Sequence, residues 1–121
     1  MKWRRIAEGG LEDFYREVLP AIREAAKGCG YGIAAHGSMR RDLDLMAMPW
    51  VEDHASADAL AQAIQMAACG ITSAVVWERK PCGRIAASMA ICMTEADFRP
   101  SAGHIDLSVM PGGEVNHGKT F

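Results

Sequence analysis

Two short acidic stretches carry the residues of this chain best suited to chemistry: "DLDL", Asp42 to Leu45, and "HIDLSV", His104 to Val109. Both alternate polar and apolar residues. A strand sends successive side chains to opposite faces, so Asp42 and Asp44 share one face while Leu43 and Leu45 share the other. By the same alternation His104, Asp106 and Ser108 share a face, with Ile105, Leu107 and Val109 opposite. If the two strands are neighbours, Asp42, Asp44 and Asp106 converge above an apolar underside. Converging carboxylates repel one another, and their pKa values rise unless a cation lies between them. Hard oxygen ligands suit Mg²⁺ or Mn²⁺, which keep part of their water shell and also bind substrate phosphates. Ions held in this way stabilise the attacking and leaving oxygens of a transferring phosphoryl or nucleotidyl group.

Just ahead of the first acidic stretch lies "HGS", His36 to Ser38, followed after Met39 by Arg40 and Arg41. A glycine at a strand end lets backbone N–H groups approach a phosphate, and a serine adds a hydroxyl donor. Arg40 or Arg41 would neutralise further phosphate charge. His36 and His104 suggest a second chemistry. With the three aspartates they would form a mixed His/carboxylate site for Zn²⁺, Mn²⁺ or Fe²⁺, the donor set of a metal-dependent hydrolase. Each feature also has a plainer explanation. Acids guard exposed strand edges, two arginines suit an exposed turn, and lone histidines near strand ends are commonly just hydrogen-bonded.

These residues need a frame to hold them. Leu11, Phe14, Tyr15, Val18, Leu19, Ile22, Ala25 and Ala26 recur at steps of three and four, which is one face of a helix closed by Gly28 and Gly30. Pro20 lies inside that pattern and is expected to kink or divide the helix. "YGIAAHG" (31–37) and "LDLMAMPW" (43–50) read as strands joined by a short turn, a hairpin. Ser56 has the character of an N-cap, with Asp58 in the first turn, Leu60, Ile64, Ala67 and Ala68 as the apolar stripe and Gly70 as the close. "ITSAVVWERK", the turn "PCG" and "RIAASMAICM" then read as a second hairpin, "TEADFRPSAG" as a loop, and 104–110 as the last strand. Met46, Met48, Met66, Met89 and Met93 are expected to fill the core, and Trp50 and Trp77 to cover it. Cys82 stands in a turn beside Lys80 and Arg84 with no histidine near it in sequence to act as a base, so a structural role is expected. His54 follows Glu52 and Asp53 and is expected in a solvated turn. The order α-β-β-α-β-β-β predicts an α+β fold. It would be one small domain over residues 1–111, a mixed or antiparallel sheet with helices on one face, followed by a flexible C-terminal tail over 112–121.

The combination "HGS" at 36–38, "DLDL" at 42–45 and "HIDLSV" at 104–109, in that order, resembles the nucleotidyltransferase superfamily, the fold of polymerase-β-like and antibiotic-modifying enzymes. The resemblance implies Asp42 and Asp44 as ligands of Mg²⁺ or Mn²⁺, with Asp106 as the third ligand and a catalytic residue assisting deprotonation of the acceptor hydroxyl. It implies Gly37 and Ser38 as the contact to a nucleoside triphosphate. In that superfamily a helical turn or two separates the Gly-Ser from the first acid. Here only Met39, Arg40 and Arg41 intervene, too few for a regular helix whose dipole would help hold phosphate. That departure favours an alternative, a catalytically inactive module binding a nucleotide or a protein. "YGIAAHGSMRRDLDLMAMPW", "KPCGR" and "HIDLSVMP" also resemble small proteins of tailed bacteriophages and prophages, which implies phage origin and a place in the host cytoplasm.

Composition bounds these readings. A chain of 121 residues suits one core. With 50% hydrophobic and 23% charged residues, it should fold rather than stay disordered. The net charge of −2 argues against nucleic acid as a general ligand. No apolar run reaches the length of a membrane span, and "MKWRRIAEGG" lacks the apolar stretch of a signal peptide, so no membrane is expected. Cys29, Cys69, Cys82 and Cys92 form no C-x-x-C pair, which fits reduced thiols in a cytoplasmic protein. An apolar strand edge would allow a protein partner or a homodimer.

Overall fold

The computed structural model describes residues 10–90 and 103–111. Helix α1 (Gly10–Gly28) leads into strands β1 (Tyr31–His36) and β2 (Asp42–Pro49). Helix α2 (Ala57–Cys69), strands β3 (Glu78–Arg79) and β4 (Ile85–Ala90), and strand β5 (His104–Val109) follow, with a 3₁₀ turn at Pro81–Gly83. The strands form one mixed sheet in the order β1-β2-β5-β4-β3. The β2–β5 pair is parallel and the other three pairs are antiparallel. The architecture is α+β, as expected. Among the described residues no helix is long and apolar enough to cross a membrane.

The core lies on one side of the sheet. Leu43, Leu45 and Ala47 of β2, Ile105, Leu107 and Val109 of β5, and Ile85 and Met89 of β4 are buried, two residues apart along each strand. Both helices cover that side. Tyr15, Val18, Leu19, Ile22 and Ala26 come from α1, and Leu60, Ala61, Ile64 and Ala68 from α2. Each large aliphatic side chain enclosed in this way contributes roughly 1.5–3 kcal/mol of transfer free energy. The opposite face has no helix among the described residues. It carries the other set of the alternation: Ala34 and His36, Asp42, Asp44, Met46 and Met48, His104, Asp106 and Ser108, and Ala86, Ser88 and Ala90.

Local chemistry explains most boundaries. Helix α2 begins at Ser56, whose side chain accepts from the Ala59 N–H at 3.1 Å, and closes at Gly70 in the left-handed region at φ 75°. Helix α1 carries Glu12 and Asp13 in its first turn and Lys27 in its last, complementing its dipole. The helix runs through Pro20 as one element rather than two. Pro20 and Arg16 are both exposed, so the carbonyl that loses its helical partner is on the solvent side and can bond water.

The run over 71–77 is not a strand, and only Glu78 and Arg79 pair with β4. Gln65 provides the reason. It is buried in α2, its Oε1 accepts from the Ser73 N–H at 2.9 Å, and its Nε2 donates to the Ser73 carbonyl at 3.1 Å. Both backbone groups that a ladder would use at Ser73 are thereby occupied. Trp77 holds the other end of the segment, its Nε1–H donating to Asp58 at 2.6 Å. Val75 and Trp77 pack against the core from this position, and Trp77 covers it as expected.

Several other expectations need correcting. Met89 is buried, but Met48 is 47% exposed, Met66 54% and Trp50 75%. Met46 and Met48 are on the helix-free face, which apolar character alone does not distinguish from the core face. Met93, most of the 94–103 loop and the 112–121 tail lie outside the described residues. His54 is half-buried rather than solvated. Its ring stands edge-on to Tyr31 at 5.1 Å between centroids, with Nδ1 3.0 Å from the Tyr31 hydroxyl.

Candidate functional site: an acidic row across the open sheet face

The parallel pairing of β2 with β5 puts Asp44 directly beside Asp106, and Asp42 beside His104. The antiparallel neighbours extend the first pair: His36 of β1 is opposite Asp44, and Ser88 of β4 is opposite Asp106. One row therefore crosses four strands on the helix-free face as His36, Asp44, Asp106 and Ser88. A second row, one alternation step away, holds Asp42, His104 and Ala90. The leucines between the acids are what hold these rows still. Leu43, Leu45 and Leu107 are fully buried, so a slip of one residue would exchange core and site.

The Asp44 carboxyl is half-buried and held above the usual carboxylate range. Burial is the largest cause, followed by the charge of Asp106; a hydrogen bond between the two carboxyls and the more distant Asp42 act in the same direction. His36 opposes the rise. Neighbouring carboxyls that raise one another's pKa are stabilised by added positive charge, which a divalent cation can supply. The donor set is thus compatible with a hard cation bound by Asp44 and Asp106, with water completing its shell. Among the described residues no three His, Cys, Asp or Glu side chains are arranged as a ready metal-ligand group. Asp44 and Asp106 are paired side by side, while Asp42 is set back beside His104.

The turn next to this pair is built for close approach. Gly37 has φ +83°, and a Cβ on it would lie 2.8 Å from Asp44 Oδ2. Met39 is also left-handed, at φ 61°. The Ser38 hydroxyl accepts from the Arg40 N–H at 3.3 Å, a local turn bond, and no helix forms between Ser38 and Asp42. The Arg40 and Arg41 side chains are exposed. Met39 packs against the core and anchors the turn from below.

Tyr15 is a positioning residue that the sequence pattern conceals. Its hydroxyl donates to the Arg41 carbonyl at 2.6 Å and lies 3.4 Å from the His104 carbonyl. It thereby links the entrances of β2 and β5, the two acid-bearing strands. The phenol is pushed up to about 12, chiefly by burial, with Asp42, Asp106 and Asp44 adding to the rise; a backbone hydrogen bond at His104 acts against it. Gly103 leaves room for this contact, because a Cβ there would lie 2.6 Å from the Tyr15 hydroxyl. In the sequence Tyr15 is one more member of an apolar stripe; the only signal is that a buried tyrosine hydroxyl requires a partner.

On the β4 side, an open groove of about 820 Å³ begins at Asp106 and runs past Ser88 and Ser108 toward Arg84, with Val76 and Trp77 along its wall. Sequence reasoning did not identify it. Cys82 is exposed in the 3₁₀ turn at φ 65°. Comparison with protein-family models, with curated proteins and with solved structures finds no match to this chain.

Proposed function

We propose that the protein transfers a nucleotidyl group from a nucleoside triphosphate to an acceptor hydroxyl in a reaction dependent on Mg²⁺ or Mn²⁺. The observation that carries this reading is the in-register pairing of Asp44 with Asp106 on neighbouring strands. Two half-buried carboxyls paired on neighbouring strands form a site that favours added positive charge. A bound cation would supply charge neutralisation at the phosphoryl oxygens. Asp44 and Asp106 would hold it, Asp42 would add charge from the next row, and Asp106 would accept the proton of the acceptor hydroxyl. The Gly37 N–H and the Ser38 hydroxyl would donate to phosphate oxygens, with Arg40 and Arg41 adding positive charge at the same turn. Residence in the cytoplasm belongs to the same reading. The experiment is calorimetry with ATP and with GTP, each with and without Mg²⁺. Metal-dependent binding that disappears in the Asp44→Asn/Asp106→Asn double variant is expected; equal binding by both proteins removes the reading.

One observation favours a second reading. The left-handed Met39 turn replaces a helix N-terminus beside the Gly-Ser step, which weakens the grip on a triphosphate. A module that binds nucleotide or protein without turnover fits that turn. Metal-dependent binding of nucleotide, without release of pyrophosphate over a broad set of hydroxyl acceptors, would identify it. The hydrolase reading draws its support from the adjacency of His36 to Asp44 and of Asp42 to His104. Stoichiometric zinc or iron in the purified protein, lost in His104→Ala, would favour it.

A further inference from the structure

The acidic row has two sides. The Gly37–Ser38 turn is on the β1 side of Asp44, and the open groove is on the β4 side of Asp106. Arg84 precedes β4 and belongs to the same alternation set as Ala86 and Ser88, so its side chain stands on the face that carries the acids. It is half-buried, and its Nη1 donates to the Ser108 hydroxyl at 2.8 Å. That partner is neutral, and among the described residues no carboxylate pairs with the guanidinium. Lys80, at the same end of the groove, is instead paired with Glu78 at 3.0 Å. A half-buried guanidinium held by a neutral hydroxyl, on a residue that lines an open groove, is a site for an oxyanion. Ser108 follows Asp106 by one alternation step, a spacing of about 7 Å along the strand.

We infer that the β4-side groove binds the acceptor, and that the acceptor is a small hydroxy compound carrying a phosphate or carboxylate. Its oxyanion is held by Arg84, and its hydroxyl lies about 7 Å away beside Asp106. Ser108 is a positioning residue that orients the guanidinium. The inference names the substrate class of the site already proposed and rests on that reading for the role of Asp106. The anion site itself is independent of metal and nucleotide, so it is tested without either.

The probes are inorganic phosphate and acetate, each titrated into uniformly ¹⁵N-labelled protein free of divalent metal, with the Arg84 side-chain Nε signal and the backbone amides of β4 and β5 followed by NMR. Saturable shifts at Arg84 and Ser108 are expected with at least one probe, and comparison of the two tells phosphate from carboxylate. Arg84→Gln should weaken binding at least about tenfold, the loss expected when a charged hydrogen bond is removed. Ser108→Ala should weaken it by a smaller factor and Ser108→Thr should restore it, a rescue that a merely structural role would not produce. Arg84→Lys keeps the charge without the fork and serves if the glutamine variant does not fold; it should bind more weakly than the unaltered protein. Equal affinity in a folded Arg84→Gln or Arg84→Lys variant, or an absence of shifts at Arg84 with both probes, overturns the inference and leaves the Asp44/Asp106 reading untouched. Phosphate binding that depends on Arg84, together with metal-independent ATP binding in the calorimetry above, would keep the anion site and remove the nucleotidyl-transfer reading.

Discussion

Replacing Asp44 by asparagine should make this protein more stable near neutral pH. The Asp44 carboxyl is half-buried, paired across the strands with Asp106, and held above the usual carboxylate range by burial first and by Asp106 second. Two unit charges about 4 Å apart repel by about 1 kcal/mol in bulk water and about 4 kcal/mol at the effective dielectric of a protein surface. The half-buried pair lies between these limits, so a gain of about 1–2 kcal/mol is expected from Asp44→Asn. In a domain of this size that raises Tm by roughly 4–8 °C. The sign with pH follows from linkage. A carboxyl with a raised folded pKa favours the native state fully below its unfolded pKa, and that advantage is lost as pH rises through the folded value. The gain should therefore be full at about pH 8 and shrink toward zero at about pH 3, where Asp44 is protonated in the folded and unfolded states alike. Mg²⁺ should stabilise the unaltered protein and much less the variant, by about 2.7 kcal/mol at a hundred times the dissociation constant. Urea denaturation across this pH range, with and without Mg²⁺, measures all three quantities. An asparagine variant less stable than the parent at about pH 8, or a gain that does not change with pH, would show that the carboxyls do not oppose one another as the geometry requires.

Two further perturbations probe the frame of the site. Tyr15→Phe removes the hydroxyl that links the entrances of β2 and β5; it should lower stability by about 1–2 kcal/mol in urea denaturation and weaken Mg²⁺-dependent ATP binding in calorimetry. Gly37→Ala puts a methyl 2.8 Å from Asp44 Oδ2 on a residue with φ +83°, so it should lower stability by about 1–2 kcal/mol and reduce nucleotide affinity more than an alanine at exposed Arg40 does.

What could be read from the chain beforehand was local. The period-two pattern of "DLDL" and "HIDLSV" placed the acids on one face because the alternating leucines and isoleucine have only one place to go. Ser56 and Gly70 marked the ends of α2 because each satisfies the helix within a few residues. The parallel register that sets Asp44 against Asp106 was not legible, since it depends on pairing between segments far apart in the chain. The run 71–77 read as a strand because its apolar content does not reveal that Gln65, eight residues before Ser73, takes the backbone groups there. The apolar character of Met48 and Trp50 suggests core filling and core covering, yet both are exposed. The Arg84–Ser108 contact joins a turn to a distant strand and leaves no mark in either segment.

The sheet order also bears on how the molecule is made. Strand β5 comes last among the described strands but is inserted between β2 and β4. While the chain is still emerging from the ribosome, the β1–β2 hairpin has nothing to its right and β4 nothing to its left, and an isolated hairpin is at best marginally stable in water. The sheet can zip together only after Val109 has emerged, and the same event brings Asp106 to Asp44. Unfinished chains therefore have no assembled acidic row, which arrives only together with the completed sheet.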